Sequence, residues 1–537
     1  MEPRRVIKVA VIGSGLAGLT AAHLLARCQT YGSGVEFEIH IFEKSPVLGM
    51  DAESLTINFP TGSLVEKEVT VRVDVPMRSI QGGPYPRLMK FYEYLGVELK
   101  QHDYSYSFST LNPARSDTPI NTHMIYNGAS GRAGMGLPSN AYRTNQFSGA
   151  LNMATTLFNL IRWILTTLIL ALHYARLYVL SDPSSRTPTH LCRETLRAWA
   201  SRTTQENAIS RLLGWETFVQ AVIVPLFSAV CTTSTDDIWE HPAAEILDYI
   251  WQTFGTHHYV AAHGVQDIVS RIASPIPLHN IHLNAEVNAL AANPLNPSTV
   301  SVCFGTAHTT KSEVQTITGF SHVVLATPTQ RSAHLLQSLA SNLPEGSALH
   351  ALFEQASHKL NLFRTRKTVV ITHRDESVLP SHPNDWRDLN LVLGPSNLVP
   401  HDEKTSNTVP LTPGCAMATH IFPTPSGPPL CQTTNPVISP FSQSILSQSV
   451  LDRSVLTIES KGARDSFCQP LGDGSQWTQG DLQGLQINEG EKSQSRIWLC
   501  GAWAYGGIPL LEGCVGSAEI VVEGILRAEG LGPLSLI

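Results

Sequence analysis

The sequence has few charged residues and no concentrated tract of either sign. Of its 537 residues, 15% are charged and 42% are hydrophobic, and the formal net charge is -7. An average soluble domain has about 25% charged residues. Because no Lys/Arg-rich tract is present, nucleic acid is not expected as a partner. The low charge predicts that part of the surface is apolar or rich in Ser and Thr, or that it contacts lipid or another protein.

Several other signatures are missing. The nine cysteines are scattered, odd in number and without a C-x-x-C pair, which predicts reduced thiols in an intracellular protein. His257, His258 and His263 are close in sequence but lack zinc spacing, so no metal site is expected. No P-loop, Ser-His-Asp pattern or internal repeat is found. The first strand begins within a few residues of Met1 and leaves no room for a signal peptide, so we expect a cytoplasmic or membrane-associated protein.

A glycine-rich loop stands close to the N-terminus, in "VAVIGSGLAGLTAAHLLAR" (9–27). An apolar, β-prone strand precedes the loop and an apolar helix follows it. Gly13 permits the tight turn, Gly15 lets the backbone approach phosphates, and Gly18 lets the helix pack on the strand. The N–H groups of that helix, which begins around Leu16 and Ala17, favour a pyrophosphate. This order predicts a dinucleotide cradle.

A second strand, "VEFEIHIFEK" (35–44), alternates apolar and polar residues and ends at Glu43. A carboxylate at the tip of the second strand is the group that binds adenosine ribose hydroxyls. The alternative interpretation is that Glu43 is an ordinary exposed residue. The two motifs together leave open whether the dinucleotide is NAD or FAD.

The stretch that follows, "KSPVLGMDAES" (44–54), resembles the E-x-x-x-x-L-G-G segment of FAD enzymes of the flavin amine oxidase and phytoene desaturase superfamily. Within it, the chain most resembles predicted NAD/FAD-binding amine-oxidase-like proteins that are often encoded beside cyclopropane-fatty-acid synthases. The likeness extends over most of the chain and includes the blocks at 73–109, 218–250, 261–272, 322–336, 372–390 and 497–526. Two positions depart from the pattern: Met50 replaces the second glycine, and "GGIPLLEG" (506–513) differs from the usual histidine-acid-glycine sequence.

The resemblance implies FAD as the cofactor, because the C-terminal block "LCGAW" (499–503) returns to it. It implies further cofactor contacts beyond Gly13, Gly15, Leu16, Ala17, Gly18 and Glu43. These are Lys44, Gly49, Val287 against the adenine, Ala326 and Thr327 behind the cofactor, and Gly501, Glu512 and Gly513 in the returning segment.

The implied fold class is α/β, with an α+β substrate part. A Rossmann-like FAD-binding domain of the glutathione-reductase/amine-oxidase type carries an inserted substrate domain. The FAD-binding domain is expected to be discontinuous, from 1–75, 255–330 and 485–537, with the substrate domain at 76–254 and 331–484. Alternating valines predict a half-buried strand at 65–75. The proline-rich stretch 406–440 predicts a surface loop or broken strands.

One apolar stretch, 153–180, is unusual. Arg162 and Arg176 flank a charge-free run of only thirteen residues, whereas a spanning helix needs about 20. Three interpretations stay open: a buried helix of the substrate domain, a helix on a membrane face, and a tilted span.

The predicted function is an FAD-dependent oxidoreductase of the oxidase or desaturase type. A small organic substrate, with a lipid or fatty-acyl compound as the candidate, would reduce the flavin, and oxygen or a quinone-like carrier would reoxidise it. The alternatives are a flavin-dependent isomerase, a non-catalytic FAD-binding protein and an NAD-dependent dehydrogenase. Trp503 and Tyr505 are candidates for the substrate face. His373 and Asp375 are either an acid–base pair or, preferentially, a hydrogen-bonded turn.

Overall fold

The computed structural model describes residues 5–533 with several gaps. The residues outside the description are 1–4, 29–33, 61–67, 115–117, 130–131, 142–148, 187–190, 192, 294, 297, 307–313, 396–409, 413, 425–426, 473–475, 488–494 and 534–537.

Helices and strands alternate along the described chain. Among the described residues, the helices are α1 (Leu16–Arg27), α2 (Pro86–Tyr94), α3 (Gly149–Ser181), α4 (Leu196–Gln205), α5 (Ala208–Leu212), α6 (Trp215–Phe218), α7 (Val224–Cys231), α8 (Thr235–Trp239), α9 (Ala243–Thr253), α10 (Gly264–Ala273), α11 (Thr329–Ala340), α12 (Ala348–Asn361), α13 (Ile458–Arg464) and α14 (Leu511–Ala528). The strands of the same ranges are β1 (Arg5–Ile12), β2 (Val35–Phe42), β3 (Leu55–Pro60), β4 (Glu68–Val73), β5 (Ile80–Gln81), β6 (Leu99–Gln101), β7 (Tyr106–Leu111), β8 (Ile120–Tyr126), β9 (Met135–Gly136), β10 (His258–Ala261), β11 (Ile281–His282), β12 (Ala285–Ala292), β13 (Val300–Thr306), β14 (Gln315–Phe320), β15 (His322–Leu325), β16 (Arg364–His373), β17 (Leu389–Leu393), β18 (Ala416–Phe422), β19 (Leu430–Thr434), β20 (Ile445–Val455), β21 (Cys468–Leu471), β22 (Gln476–Gln479), β23 (Leu485–Gln486) and β24 (Arg496–Leu499).

A six-stranded sheet holds the glycine loop, with strand order β11-β2-β1-β15-β24-β23. Strands β11, β2, β1, β15 and β24 run parallel, and β23 is antiparallel to β24. Successive residues of β1 face opposite sides. Val9 and Val11 join the core shared with α1 and α14, whereas Ala10 and Ile12 join the core shared with α11 and α12. Because β2 and β15 pair on opposite sides of β1, the loop after β1 lies at a switch point, where open α/β sheets bind ligands.

The segment 281–290, which contains Val287, belongs to two strands of different sheets. β11 belongs to the six-stranded sheet, whereas β12 joins an antiparallel sheet with β13 and β14. The break falls at Asn284, which has a φ of 53°, a left-handed conformation that asparagine tolerates. The neighbouring backbone bonds to Glu43: the Glu43 amide donates to the His282 carbonyl at 2.9 Å, and the Ala285 amide donates to the Glu43 carbonyl at 2.8 Å.

A second large sheet has eight strands in the order β20-β16-β19-β18-β17-β7-β8-β9. Its pairs are antiparallel except β17 with β7. Helices α4 to α9 pack on it through a core that includes Trp199, Trp215 and Phe227. The proline-rich stretch 406–440 forms the two short strands β18 and β19, in line with the expected broken strands. Its residues 406–409, 413 and 425–426 are outside the described residues.

The valine-rich strand predicted at 65–75 is shorter in the structure. β4 pairs with β3 as an antiparallel hairpin and ends at Val73, and residues 65–67 lie outside the described residues. After β4, the Asp74 carboxylate accepts the Val265 amide of α10 at 3.1 Å, so the chain leaves the hairpin in contact with that helix.

The apolar stretch forms α3, and most of that helix is exposed. Among the described residues, Leu157–Ser181 is the one segment long and apolar enough to cross a membrane by length and composition, and 17% of its most apolar window is buried. Leu177 packs in the core between the eight-stranded sheet and its helices, and Arg176 lies over Trp215 at 4.7 Å and donates to the Thr203 carbonyl at 2.7 Å. Of the three interpretations, the buried core helix does not hold for Leu157–Ser181, because most of the side chains in this range are exposed.

Candidate cofactor site and the adjoining cavity

The three glycines of the loop occupy three different environments. Gly13 has a φ of 97°, and a Cβ there would lie 2.5 Å from the Ala326 carbonyl oxygen. A Cβ on Gly18 would lie 2.0 Å from the Gly13 carbonyl oxygen. A Cβ on Gly15 would meet no atom within 4 Å. Two glycines are thus required by packing, whereas Gly15 faces open space, which is the cradle that a phosphate needs.

Helix α1 begins at this open face without a protein cap. Gly15 is its N-cap, no side chain accepts its first amides, and its first turn contains no acidic residue. Leu16 and Ala17 bury their side chains in the core, so their backbone is the part that faces the loop. Uncapped amides and the helix dipole favour an anion such as a pyrophosphate here.

Glu43 is buried beside the loop, so the interpretation that it is an ordinary exposed residue is wrong. Its carboxylate accepts the Ser14 amide at 3.0 Å, the Ser14 hydroxyl at 2.6 Å and the Ser45 amide at 2.9 Å. The next residue, Lys44, is exposed. These bonds fix a carboxylate at the carboxyl end of β2, in reach of the loop, where a ribose would be bound.

Gly49 and Met50 close the loop from the other side. The Gly49 amide donates to the Ser14 hydroxyl at 2.7 Å, and a Cβ on Gly49 would lie 3.0 Å from the Ser14 carbonyl group. Met50 is buried in the core that contains Leu16 and Val9. Its side chain therefore fills the interior, and the replacement of the second glycine does not obstruct the loop.

The residues predicted behind the cofactor lie at the end of β15. The Ala326 amide donates to the Ile12 carbonyl at 2.9 Å, and the Thr327 hydroxyl pairs with that of Ser332 at 2.8 Å. Val287 is buried in β12, and its carbonyl accepts a hydrogen bond from Arg331 at 2.6 Å. The predicted contact of Val287 with adenine stays a prediction. The Val287 amide or side chain would make that contact.

The C-terminal segment, from Gly501 to the start of α14, lies near the glycine loop. The Gly501 amide donates to the Ser517 hydroxyl at 3.0 Å, and a Cβ on Gly513 would lie 2.7 Å from the Ala502 carbonyl oxygen. Helix α14 packs against α1 in one shared core, which includes Leu16 and Val515. The returning segment therefore lies against the helix that follows the glycine loop.

The Glu512 side chain contacts another helix, and a cofactor contact at this position stays a prediction. Its two carboxylate oxygens accept the amides of Arg87 and Leu88, each at 3.0 Å, and so cap the N-terminus of α2. Burial raises its pKa to about 7, although the two backbone hydrogen bonds oppose that shift. The Glu512 side chain is thus committed to α2, and a cofactor contact at this position would fall to the backbone.

Trp503 and Tyr505 pack their rings against neighbouring aromatic side chains, and their place on the substrate face stays a prediction. Trp503 is buried between the rings of Phe363 and Phe467, at 5.5 and 5.7 Å. Tyr505 packs against Trp477 at 5.7 Å. Neither side chain lines the cavity that is described next, because the turn after Gly501 directs both rings into the core.

A cavity of about 270 Å³ adjoins the N-terminus of α14. Leu510, Leu511 and Cys514 of that end line it, and the eight-stranded sheet and helices α7 and α9 supply the other walls. Its aromatic lining is four tyrosines: Tyr85, Tyr104, Tyr106 and Tyr249. It also contains Arg78, Arg453, His258 and His420. Sequence reasoning missed this lining, because its members come from segments far apart in the chain and none forms a motif.

The two cavity histidines are neutral at neutral pH. Burial lowers the pKa of His258 and of His420 to about 4. The Nδ1 atoms of both are buried and have no hydrogen-bond partner. His258 Nε2 lies 3.3 Å from the Tyr106 hydroxyl. Neutral imidazoles with a free nitrogen can accept or donate a proton or orient a bound ligand.

His373 and Asp375 form the hydrogen-bonded turn. The Asp375 amide donates to His373 Nδ1 at 3.0 Å, and His373 Nε2 pairs with the Thr433 hydroxyl at 2.7 Å. The Asp375 carboxylate accepts the amides of Ser377 and Phe441. All their polar atoms are thus engaged in structure, away from the cavity. Within the described ranges, no group of three His, Cys, Asp or Glu side chains could hold a metal ion.

The chain is similar to known proteins in one family model and in several solved structures. The family model for an NAD(P)-binding Rossmann-like domain matches residues 11–95, from β1 to the end of α2. No curated protein matches the chain. Among solved structures, the chain is similar to cyclohexylamine oxidase from Brevibacterium oxydans IH-35A, with 11% identity, a TM-score of 0.46, and coverage of 98% of this chain and 99% of that one. It is also similar to a putrescine oxidase bound to putrescine, with 11% identity, a TM-score of 0.46, and coverage of 97% and 100%.

Proposed function

We propose that the protein, which carries a Rossmann-like dinucleotide-binding domain, is an FAD-dependent oxidoreductase of the oxidase or desaturase type. The observation that carries the proposal is the return of the C-terminal segment to the glycine loop, where α14 packs against α1 and its N-terminus adjoins a cavity. A dehydrogenase that uses only NAD would not require this second contact. Bound FAD supplies a hydride acceptor at its flavin ring.

The loop and Glu43 fit the pyrophosphate and the adenosine ribose of such a cofactor. The open face at Gly15 and the uncapped α1 amides receive the pyrophosphate, and the fixed Glu43 carboxylate accepts the ribose hydroxyls. The predicted contacts at Lys44, Gly49, Ala326, Thr327, Gly501 and Gly513 are part of this proposal. The α14 N-terminus, which has no side-chain cap, stabilises negative charge that develops on the reduced ring.

The chain's contribution to the reaction is to bind and orient the substrate in the cavity and to exclude water from it. Leu226, Val230, Leu389 and Leu510 give the cavity apolar walls, which suit a lipid or fatty-acyl substrate. The single dinucleotide loop of the sequence supports reoxidation by oxygen or a quinone-like carrier rather than by a built-in NAD(P)H site.

We propose in addition that α3 places the protein on a membrane surface. Leu165, Leu168 and Leu172 are each more than half exposed, on one side of the helix. The helix has no acidic residue between 149 and 181 and carries Arg162 near the middle of its apolar part. An apolar face with a cationic edge matches an interfacial helix on anionic lipid. Sedimentation with membranes after detergent-free lysis tests this; a fully soluble protein would overturn it.

The visible absorption spectrum of the purified protein tests the cofactor. Flavin bands, with FAD released on denaturation, are expected. Anaerobic mixing with fatty-acyl and amine compounds then tests the reaction, because a substrate bleaches the flavin. Turnover without consumption of an electron acceptor would instead indicate the isomerase. Flavin that only dithionite bleaches would indicate the non-catalytic protein, and a colourless protein that fails to take up FAD would overturn the proposal.

A further inference from the structure

Two arginines of the cavity have an unsatisfied guanidinium nitrogen. Arg78 follows β4 in the chain, and Arg453 lies on β20, yet both line the same cavity. The Nε atom of each is buried and has no hydrogen-bond partner. An unpaired buried donor of a charged group is costly, because it has lost water without gaining a protein acceptor. Two such donors in one cavity indicate a place for an acceptor that is not part of the protein.

The two guanidinium groups act on the same small region. Burial, followed by the charge of Arg78, lowers the pKa of Arg453 to about 10. Both arginines also act on the thiol of Cys514, in the first turn of α14. The two guanidinium groups therefore make one end of the cavity electropositive, beside the first turn of α14, which also contains the partly buried acid Glu512.

No acidic residue of the lining neutralises that charge. The lining residues, all within the described part of the chain, include no Asp and no Glu. Asp74 acts on Arg78 from outside the lining, but its carboxylate accepts the Val265 amide at the start of α10. The cavity histidines carry no charge at neutral pH because burial lowers their pKa. The electropositive end is therefore open to an anion.

We propose that Arg78 and Arg453 together bind the carboxylate of an organic acid whose apolar chain lies along the leucine-lined wall of the cavity. Carboxylates accept charge-assisted hydrogen bonds from guanidinium groups and would satisfy both Nε atoms. An amine would bring a third positive charge to an end of the cavity that already has two. That the bound acid is a substrate rests on the proposed function. That the two arginines bind an acid does not depend on the proposed function.

Equilibrium binding to the FAD-loaded protein tests the proposal, with decanoate, decanol and decylamine as probes. The three share an apolar chain and differ in head group. Decanoate is expected to bind about tenfold or more tightly than decanol, as one charge-assisted hydrogen bond predicts, and decylamine is expected to bind most weakly. Equal affinities of decanoate and decanol in the wild-type protein would overturn the proposal without any variant.

Variants then assign the effect to the arginines. Arg78→Met and Arg453→Met are each expected to remove most of the preference for decanoate while leaving decanol binding unchanged. Arg364→Met, an exposed arginine on the neighbouring strand β16, is the matched control and is expected to bind as the wild type does. Retention of the preference in both cavity variants would overturn the proposal.

The flavin absorbance of the same samples separates this inference from the proposed function. A protein that binds no FAD but prefers decanoate contradicts the oxidoreductase and supports the acid site. A protein that binds FAD and shows no preference supports the cofactor and overturns the acid site, since the arginines then serve something other than a carboxylate.

Discussion

Gly15 and Gly18 of the β1–α1 loop are expected to respond in opposite ways to replacement by alanine. A Cβ at position 18 would lie 2.0 Å from the Gly13 carbonyl oxygen and 3.0 Å from the Ala326 Cβ, whereas a Cβ at position 15 would meet nothing within 4 Å. Gly18→Ala therefore forces backbone to move, and overpacking of this kind costs about 1–3 kcal/mol. Gly15→Ala creates no contact in the protein itself.

The free energy of unfolding should hardly change in Gly15→Ala. Gly15 is the N-cap of α1 with a φ of -62°, which alanine can adopt. Loss of the glycine preference at an N-cap costs up to about 1 kcal/mol, and the smaller entropy of the unfolded chain offsets about 0.4–1 kcal/mol. The affinity for FAD should nevertheless fall roughly ten- to a hundredfold, because the methyl group keeps a phosphate from the amides, and one charge-assisted hydrogen bond contributes about 1.5–3 kcal/mol.

Urea denaturation of the FAD-free protein and titration of FAD into the same samples measure the two effects. The expected pattern is a stable Gly15→Ala that binds FAD poorly, beside a destabilised Gly18→Ala. Wild-type affinity for FAD in Gly15→Ala would refute the assignment of the open face to a phosphate. Equal destabilisation by the two substitutions would refute the packing argument.

Three further predictions concern other parts of the molecule. Burial raises the pKa of Glu512 from 4.5 to about 7, so between these pH values the folded protein retains a proton that the unfolded chain has lost. The free energy of unfolding should therefore fall as the pH rises through this window. Denaturation curves of Glu512→Gln at several pH values should show a smaller fall than those of the wild type. The double variant Leu165→Glu/Leu168→Glu should sediment less with anionic vesicles and keep its stability, because both side chains are exposed. The control Leu278→Glu, at a leucine elsewhere that is 86% exposed, should sediment as the wild type does. Equal sedimentation of the wild type, the double variant and the control would contradict the role of α3. Trp503→Phe should lower the free energy of unfolding by roughly 1–3 kcal/mol and leave the affinity for decanoate unchanged. A loss of that affinity without a loss of stability would instead indicate that Trp503 contacts the bound ligand.

Local patterns predicted the part of the site that local sequence controls. The strand, the three glycines and α1 follow one another without interruption, and Glu43 ends the next strand, so periodicity and glycine spacing were enough. The exposure of α3 could not be predicted in the same way. Its composition fits a core helix and an interfacial helix equally well, and the packing of α6 and α9 on one side of it decides between them.

Contacts between distant segments decide the surroundings of several residues, and the sequence pattern does not indicate those contacts. Glu512 caps a helix that begins at Pro86, and nothing near Glu512 in the chain indicates that partner. Trp503 turns into the core because Phe363 and Phe467 leave a site for its ring. Arg78 and Arg453 line one cavity although each stands alone in its own segment. Such pairs follow from the fold and have no signature of their own.

Titration of FAD and of NAD into the purified protein tests the central claim most directly. The account predicts that FAD binds at one site per chain, with the Gly15→Ala variant weakened, and that NAD binds far more weakly or not at all. Tight binding of NAD with no binding of FAD would contradict the claim, because the convergence of α14 on the glycine loop would then serve no flavin.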